Sequence, residues 1–322
     1  MATRHYLAFW NVENLFDIEN SPRRSEKLSR AIGQDIKGWT QTLLDRKIAQ
    51  LSAIIRQMNG GKGPDLLGVS EVENQYVVDL LAQSLAPLGR DYGVVHSDTS
   101  DQRGIDVAFI YDKARFTPEA VFNHFVMRRT ATRDLLQVNF RTAKGRLFVV
   151  VGNHWPSRSG GRLESNAYRA IAGETLAYFH ERILEVHGKT TPVLAMGDFN
   201  DEPSDSSLVD YALADRDHTK VMRARNPYFL NLMWPLMGQG VGSLYFDNEP
   251  NLIDQFLVNK NLISSTSPIK ADKTSVDVLR FPQMVAKGLY PAPIPFGGMG
   301  KPLNPNGYSD HFPIGMVVTE SG

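Results

Sequence analysis

The 322-residue chain contains no cysteine. That absence excludes disulfides, thiolate-bound zinc, iron–sulfur clusters and thiol nucleophiles, so any metal must sit among oxygens and imidazoles. No stretch approaches the about 18 consecutive apolar residues of a membrane span. An excess of either charge sign is missing too, because Lys+Arg and Asp+Glu both number 35. That balance argues against a generic polybasic nucleic-acid coat and against an acidic solubilising tail. The N-terminus (Met1, Ala2, Thr3, Arg4, His5) leads straight into a strand-like segment. It lacks the roughly 7–15-residue apolar stretch of a secretory signal. The expectation is a cytoplasmic protein, or a secreted one if a leader was trimmed. No obligate protein partner is evident.

What is present supports a sizeable core, since 42% of residues are hydrophobic. Short β-branched or aromatic runs alternate with helical patterns. Strands are expected at Tyr6–Val12, Leu66–Val72, Tyr92–His96, Ile105–Tyr111, Val121–Val126, Leu135–Arg141, Leu147–His154, Pro192–Met196, Leu252–Val258, Val276–Arg280 and Phe312–Val318. The apolar period of Leu43–Met58 predicts an amphipathic helix stopped by Asn59–Gly60–Gly61, and Asn166–His187 reads as a second, long helix. Several middle strands follow one another without helices, so that part should be antiparallel. Neither a repeat nor a low-complexity linker divides the chain, and one domain over residues 1–322 is expected. Pro227–Gly242 and Tyr290–Asn306, broken by Gly and Pro, read as long loops of the kind that shape binding sites.

Polar residues gather at the ends of the predicted strands: Asn11, Glu71, the run Asn153–Arg158, Gly197–Asp201, Ile253–Gln255 and Ser309–His311. Any one of them is an ordinary cap or turn residue. Six such sites, each after an apolar strand, point to a reaction centre built from carboxylates, amides and imidazoles.

Taken in order, these blocks resemble the endonuclease/exonuclease/phosphatase (deoxyribonuclease-like) superfamily. The match extends from Phe9–Trp10–Asn11–Val12–Glu13–Asn14 through Gly197–Asp198–Phe199–Asn200 to Ser309–Asp310–His311. The Asn-His-Trp-Pro-Ser-Arg run at 153–158 is closest to the bacterial nuclease-like branch. The resemblance implies an α+β fold of four layers (α/β/β/α), a two-sheet, mostly antiparallel β-sandwich flanked by helices. It also implies hydrolysis of phosphate esters with Mg²⁺ or Mn²⁺. Glu71, Asn11 and Asp310 supply the hard oxygens such an ion prefers. Asp198 is the expected water-activating base, helped by Asn200. His311, fixed by Asp254, and His154 are the expected donors to the phosphorane, both able to carry charge near neutrality. Arg158, Arg103 and Asn153 are the expected phosphate contacts. Asn14 reads equally as a turn cap, Glu73 as solvent-facing, and Asp106 as orienting a neighbour such as His154.

The neutral total conceals segregation. Arg103–Arg169 holds ten Arg and two Lys against five acids, whereas Asp198–Asp217 holds seven acids against Arg216. A guanidinium cluster near a phosphoryl site reads as a phosphate-backbone track, with Arg128, Arg129 and Arg133 bunched in it, or as ordinary surface Arg paired with acids elsewhere. The aromatics of Pro227–Phe246 suit base stacking, lipid contact or core cover. The expected activity is a nuclease acting on DNA or RNA. The alternative keeps the chemistry and takes a phospholipid head group or small phosphorylated metabolite, and a non-enzymatic scaffold would require a broken constellation.

Overall fold

Apolar runs such as Tyr6–Val12 and Leu66–Val72 leave no polar face, and strands of that kind are stable only when covered on both sides. Both are central strands in the computed structural model, which describes residues 2–99, 101, 103–127, 132–158, 161–298 and 300–322. In chain order the strands are β1 (Thr3–Leu15), β2 (Leu66–Val72), β3 (Tyr92–His96), β4 (Asp106–Asp112), β5 (Phe116–His124), β6 (Leu135–Thr142), β7 (Leu147–His154) and β8 (Val193–Asp198). They continue as β9 (Ala214–Asp215), β10 (Phe229–Asn231), β11 (Leu244–Phe246), β12 (Glu249–Asn251), β13 (Asp254–Asn259), β14 (Ile269–Val278) and β15 (Ile314–Glu320). The helices are α1 (Glu26–Ile32), α2 (Gln41–Ile55), a distorted turn α3 (Met58–Gly61), α4 (Gln75–Gln83), α5 (Arg162–His187) and α6 (His218–Arg223).

Six strands form one sheet in the order β14-β15-β1-β2-β4-β3, and seven form the other in the order β5-β6-β7-β8-β13-β10-β9. Most neighbours are antiparallel. The parallel pairs are β1–β2, β7–β8 and β9–β10. All three have a helix in their connections, as parallel pairs commonly do. The sheets press face to face on Phe9, Phe109, Phe140 and Met196. A Cβ at Gly68 of β2 would meet Phe9 at 2.8 Å and Met196 at 3.2 Å, so the inner layer closes only over a residue without a side chain. On the outer face of the seven-stranded sheet, Ala172, Leu176 and Ile183 of α5 cover Val149, Val151 and Ala195. Apolar residues of α2 and α4 join the other core cluster, completing the helix/sheet/sheet/helix layers.

The expected sandwich is therefore the observed one, with local differences. The strand expected at Val121–Val126 begins instead at Phe116, because Pro118 is accommodated at an irregularity on the edge strand β5. Helix α4 was not expected; Asn74 caps it by accepting from the Val77 N–H (3.1 Å), directly after β2. The stop after α2 is the expected one, with Asn59 and Gly60 both at positive φ. No helix among the described residues is long and apolar enough to cross a membrane.

Candidate active site

Strand register alone brings three of the polar blocks together. His154 of β7 lies opposite Asp198 of β8, and Asp198 lies opposite Asp254 of β13, so the three form one row across the sheet. All three are buried. His311 closes the row from the chain's last loop: its Nδ1–H donates to Asp254 Oδ2 at 2.7 Å, and its Nε2 faces Asp198 Oδ2 at 3.9 Å. Two serines fix this corner. Ser309 Oγ accepts from the His311 N–H and donates to the Asn11 carbonyl, while Ser243 Oγ accepts from the Asp254 N–H.

The facing sheet delivers its groups through irregular backbone. The β1–β2 register shifts between Asn11 and Leu15, where Glu13 and Asn14 have φ of 48° and 60°. In β2, Ser70 faces Val107 and Val72 faces Asp106, so Glu71 is an extra residue, a bulge at φ 63°. Left-handed backbone at a non-glycine costs about 1–3 kcal/mol and persists where the surroundings hold it. Here the Asn14 N–H donates to Glu71 Oε2 (3.1 Å), leaving Oε1 3.7 Å from His154 Nε2 and 4.0 Å from Arg103.

Electrostatics divide the labour in the row. Burial, reinforced by Asp254, pushes the Asp198 carboxyl up to about 7, although His311, the Asn200 N–H and the Asn11 amide oppose this. Burial opposes a charge on His311, but the carboxylates of Asp254, Asp198 and Asp310 outweigh it and hold its pKa well above the usual histidine range. His154 goes the other way. Burial, with Arg133, Arg103 and His311 nearby, keeps it well below that range, and its Nδ1 has no hydrogen-bond partner among the described residues. The expectation of two charged histidines thus reduces to one.

Asn200 donates its N–H to Asp198 Oδ1 (2.9 Å) and its side-chain amide to the Trp155 carbonyl (3.0 Å), which holds the Asp198 carboxyl in place. Asn11 donates to Asp198 Oδ2 (3.1 Å) and accepts from the Glu13 N–H (3.0 Å), which fixes the orientation of its amide.

Other expected residues lie elsewhere. Asn153 is wholly buried, donates to the Val151 carbonyl and accepts from the Trp155 indole. Arg158 is spent on Asp201 (3.0 Å), Asp205 (2.8 Å) and the Asn200 carbonyl. Asp106 accepts from Thr99 and faces His96, not His154. Glu73 is not solvent-facing; it takes a two-pronged bond from buried Arg24 and accepts from the Asp17 N–H. The arginine track is paired as well. Every described arginine from 103 to 169 has a carboxylate within 4.0 Å. Arg128 and Arg129 lie outside the described residues. Most aromatics of Pro227–Phe246 are core cover: Phe229 is buried, Tyr228 and Tyr245 pack against the core, and Phe246 is exposed.

The residues present fit a hard divalent ion. Asp310 and Glu71 are hard oxygen donors, and both carboxylates act on the same two lysines, Lys47 and Lys301. Lys301 Nζ lies 3.0 Å from Asp310 Oδ2 and 4.0 Å from Glu13 Oε1. Behind them, Lys47 is fully buried, donates to the Tyr308 carbonyl and is lowered to about 8 by that burial. Glu13, Lys47 and Lys301 were not singled out from sequence. Lys47 had a signal, since it occupies an apolar-face position of α2 between Leu44 and Ile48; Lys301, in an aperiodic Pro/Gly loop, had none. Asp198, Asp254 and His311, whose ligand atoms lie within 4.8 Å of one another, belong to the buried row already described. The 2.7 Å bond to Asp254 already engages His311 there.

The endonuclease/exonuclease/phosphatase family model matches residues 6–320. The chain belongs to this family. Family members solved with the same fold include an endonuclease/exonuclease/phosphatase family protein from Bacteroides thetaiotaomicron (15% identity, 100% of each chain, TM-score 0.59). Similar too are a mannosyl-6-phosphatase from the same organism (16%, 98% of this chain and 99% of that one, TM-score 0.57) and the human nocturnin catalytic domain with bound sulfate (16%, 98% and 93%, TM-score 0.56). At these identities the likeness is one of fold. No curated protein matches the chain significantly.

Proposed function

We propose that this endonuclease/exonuclease/phosphatase family member is a divalent-metal-dependent phosphoester hydrolase using Mg²⁺ or Mn²⁺. The observation that carries the reading is the row His154–Asp198–Asp254, closed by His311 at 2.7 Å from Asp254. Asp198, with its pKa raised to about 7, is suited to take a proton from an attacking water near neutrality. Asn11 and the Asn200 N–H hold its two oxygens in place. His311, kept cationic by Asp254, offers Nε2–H to the charge that grows on the phosphorane. Neutral His154 donates a hydrogen bond to a second phosphoryl oxygen or to the leaving alkoxide. A divalent ion held by Glu71 and Asp310 would supply Lewis-acid charge to the phosphoryl group.

For the substrate, the ion-paired arginines favour a discrete phosphoester, such as a small phosphorylated metabolite, over a long polyanion. Nucleic acid remains the second reading, favoured by Arg103 and Lys301. Their side chains are 40% and 59% exposed beside Glu71 and Asp310, placed to take flanking phosphates. A panel of sugar phosphates, a p-nitrophenyl phosphodiester, lipid vesicles, DNA and RNA decides between them. Hydrolysis that EDTA and His311→Ala both abolish is the expected result; clean protein that cleaves none of them with either ion refutes the reading.

A further inference from the structure

Asp106 opens β4, and His96 closes β3 on the adjacent strand, where it pairs with Ala108, two residues along from Asp106. The His96 side chain is 3% exposed and that of Asp106 likewise 3%. His96 Nε2 has no hydrogen-bond partner among the described residues, although Asp106 Oδ2 lies 3.5 Å away. That distance is too long for a good hydrogen bond, so the buried nitrogen is left unmatched, which is costly. The carboxylate is held for some purpose: Thr99 donates both its N–H (3.1 Å) and its Oγ1–H (2.6 Å) to Asp106 Oδ1. Oδ2 is therefore aimed at the imidazole with its sister oxygen fixed, the arrangement of an oriented metal ligand. Asp98 lies on the other side of the ring, 3.9 Å from His96 Nδ1, yet one atom from each of the three residues lies within 4.8 Å of the others, so a side-chain rotation of Asp98 would make it the third donor.

We propose that His96, Asp98 and Asp106 bind a transition-metal ion of the zinc or cobalt class, separate from the ion of the hydrolytic site. Two ligands about 2.1 Å from a tetrahedral ion stand about 3.4 Å apart, which matches the 3.5 Å between His96 Nε2 and Asp106 Oδ2. The imidazole selects against Mg²⁺ and Ca²⁺, which prefer oxygen alone. Asp98 is 84% exposed and can swing onto the ion, and a cleft of about 560 Å³ bordered by Asp98, Thr99 and Asp106 leaves room for a bound water. The same loop carries Arg103 to Glu71 and Asp101 to Arg133, so an ion here would brace two charges that act on the hydrolytic site.

The test is a Co²⁺ titration of the intact protein in saturating Mg²⁺, followed by visible absorption. One Co²⁺ per chain should bind with the intense bands of a four-coordinate site. Asp98→Asn, a surface change that spares the fold, and His96→Gln should each weaken binding at least about 10-fold. Glu71→Gln should leave it unaltered. Wild-type affinity in Asp98→Asn, loss of the signal in Glu71→Gln, or no Co²⁺ spectrum at all each overturns the proposal.

Discussion

Replacing Asp254 by Asn removes the charge that holds His311 as an imidazolium while keeping the side chain's size. The lost contact is a buried, charge-assisted hydrogen bond of 2.7 Å. Bonds of that kind contribute about 1.5–3 kcal/mol, which corresponds to an about 10- to 160-fold loss of kcat if the bond acts in the transition state. The loss should depend on pH. In the wild type the raised His311 pKa means that stability from its charge is fully present below the unfolded value of 6.5 and fades as pH climbs through the higher folded value. Without Asp254, burial dominates and favours the neutral ring. The variant's deficit should therefore be larger at pH 8 than at pH 6, and its alkaline limb should move down. Hydrolysis of a p-nitrophenyl phosphodiester from pH 5 to 9, with NMR titration of the His311 ring, measures both. An Asp254→Asn protein with the wild-type profile and an unshifted His311 titration would refute the charge-holding role.

The Asp198 carboxyl at about 7 predicts that kcat/KM rises through neutrality as that group ionises, an acid limb that stopped-assay profiles would show and that Asp198→Asn should abolish along with activity. Arg158→Ala should lower the melting temperature with KM unchanged, because its partners are Asp201 and Asp205; a tenfold rise in KM with unaltered stability would make it a phosphate contact after all. Arg24→Ala strands Glu73 in the interior and should cost about 3–5 kcal/mol in urea unfolding, as breaking buried pairs does.

The sandwich was legible because its central strands are apolar on both faces and its catalytic blocks stand at their ends. His154 and Asp198 could be chosen from sequence for that reason, whereas Asp254 opens β13 and came from the family resemblance; the alignment of the three in one row depends on register, which no local pattern near Asp254 specifies. The arginines misled for a physical reason. Charge summed along a segment does not reveal partners distant in sequence, and Arg146 meets Glu320 while Arg115 meets Asp65. Asn153 was similarly opaque: a polar residue beside a catalytic histidine looks exposed until its amide is seen closing Trp155 over the core. The unexpected helix α4 lay behind a single Asn cap, too short a signal against the strand that precedes it.

The bulge at Glu71 also sets the terms on which this site can be kept. Shortening β2 by that one residue would let Ser70 and Val72 continue a regular ladder with β4, relieving a left-handed backbone and restoring the pairing around Val107 and Asp106. The sheet would gain and the reaction centre would lose its forward carboxylate. Selection for thermal robustness alone therefore pushes toward deletion, and only selection for turnover preserves the extra residue. Libraries screened for stability should be enriched in such shortened, inactive chains, which makes length at this strand a readout of whether chemistry was under selection.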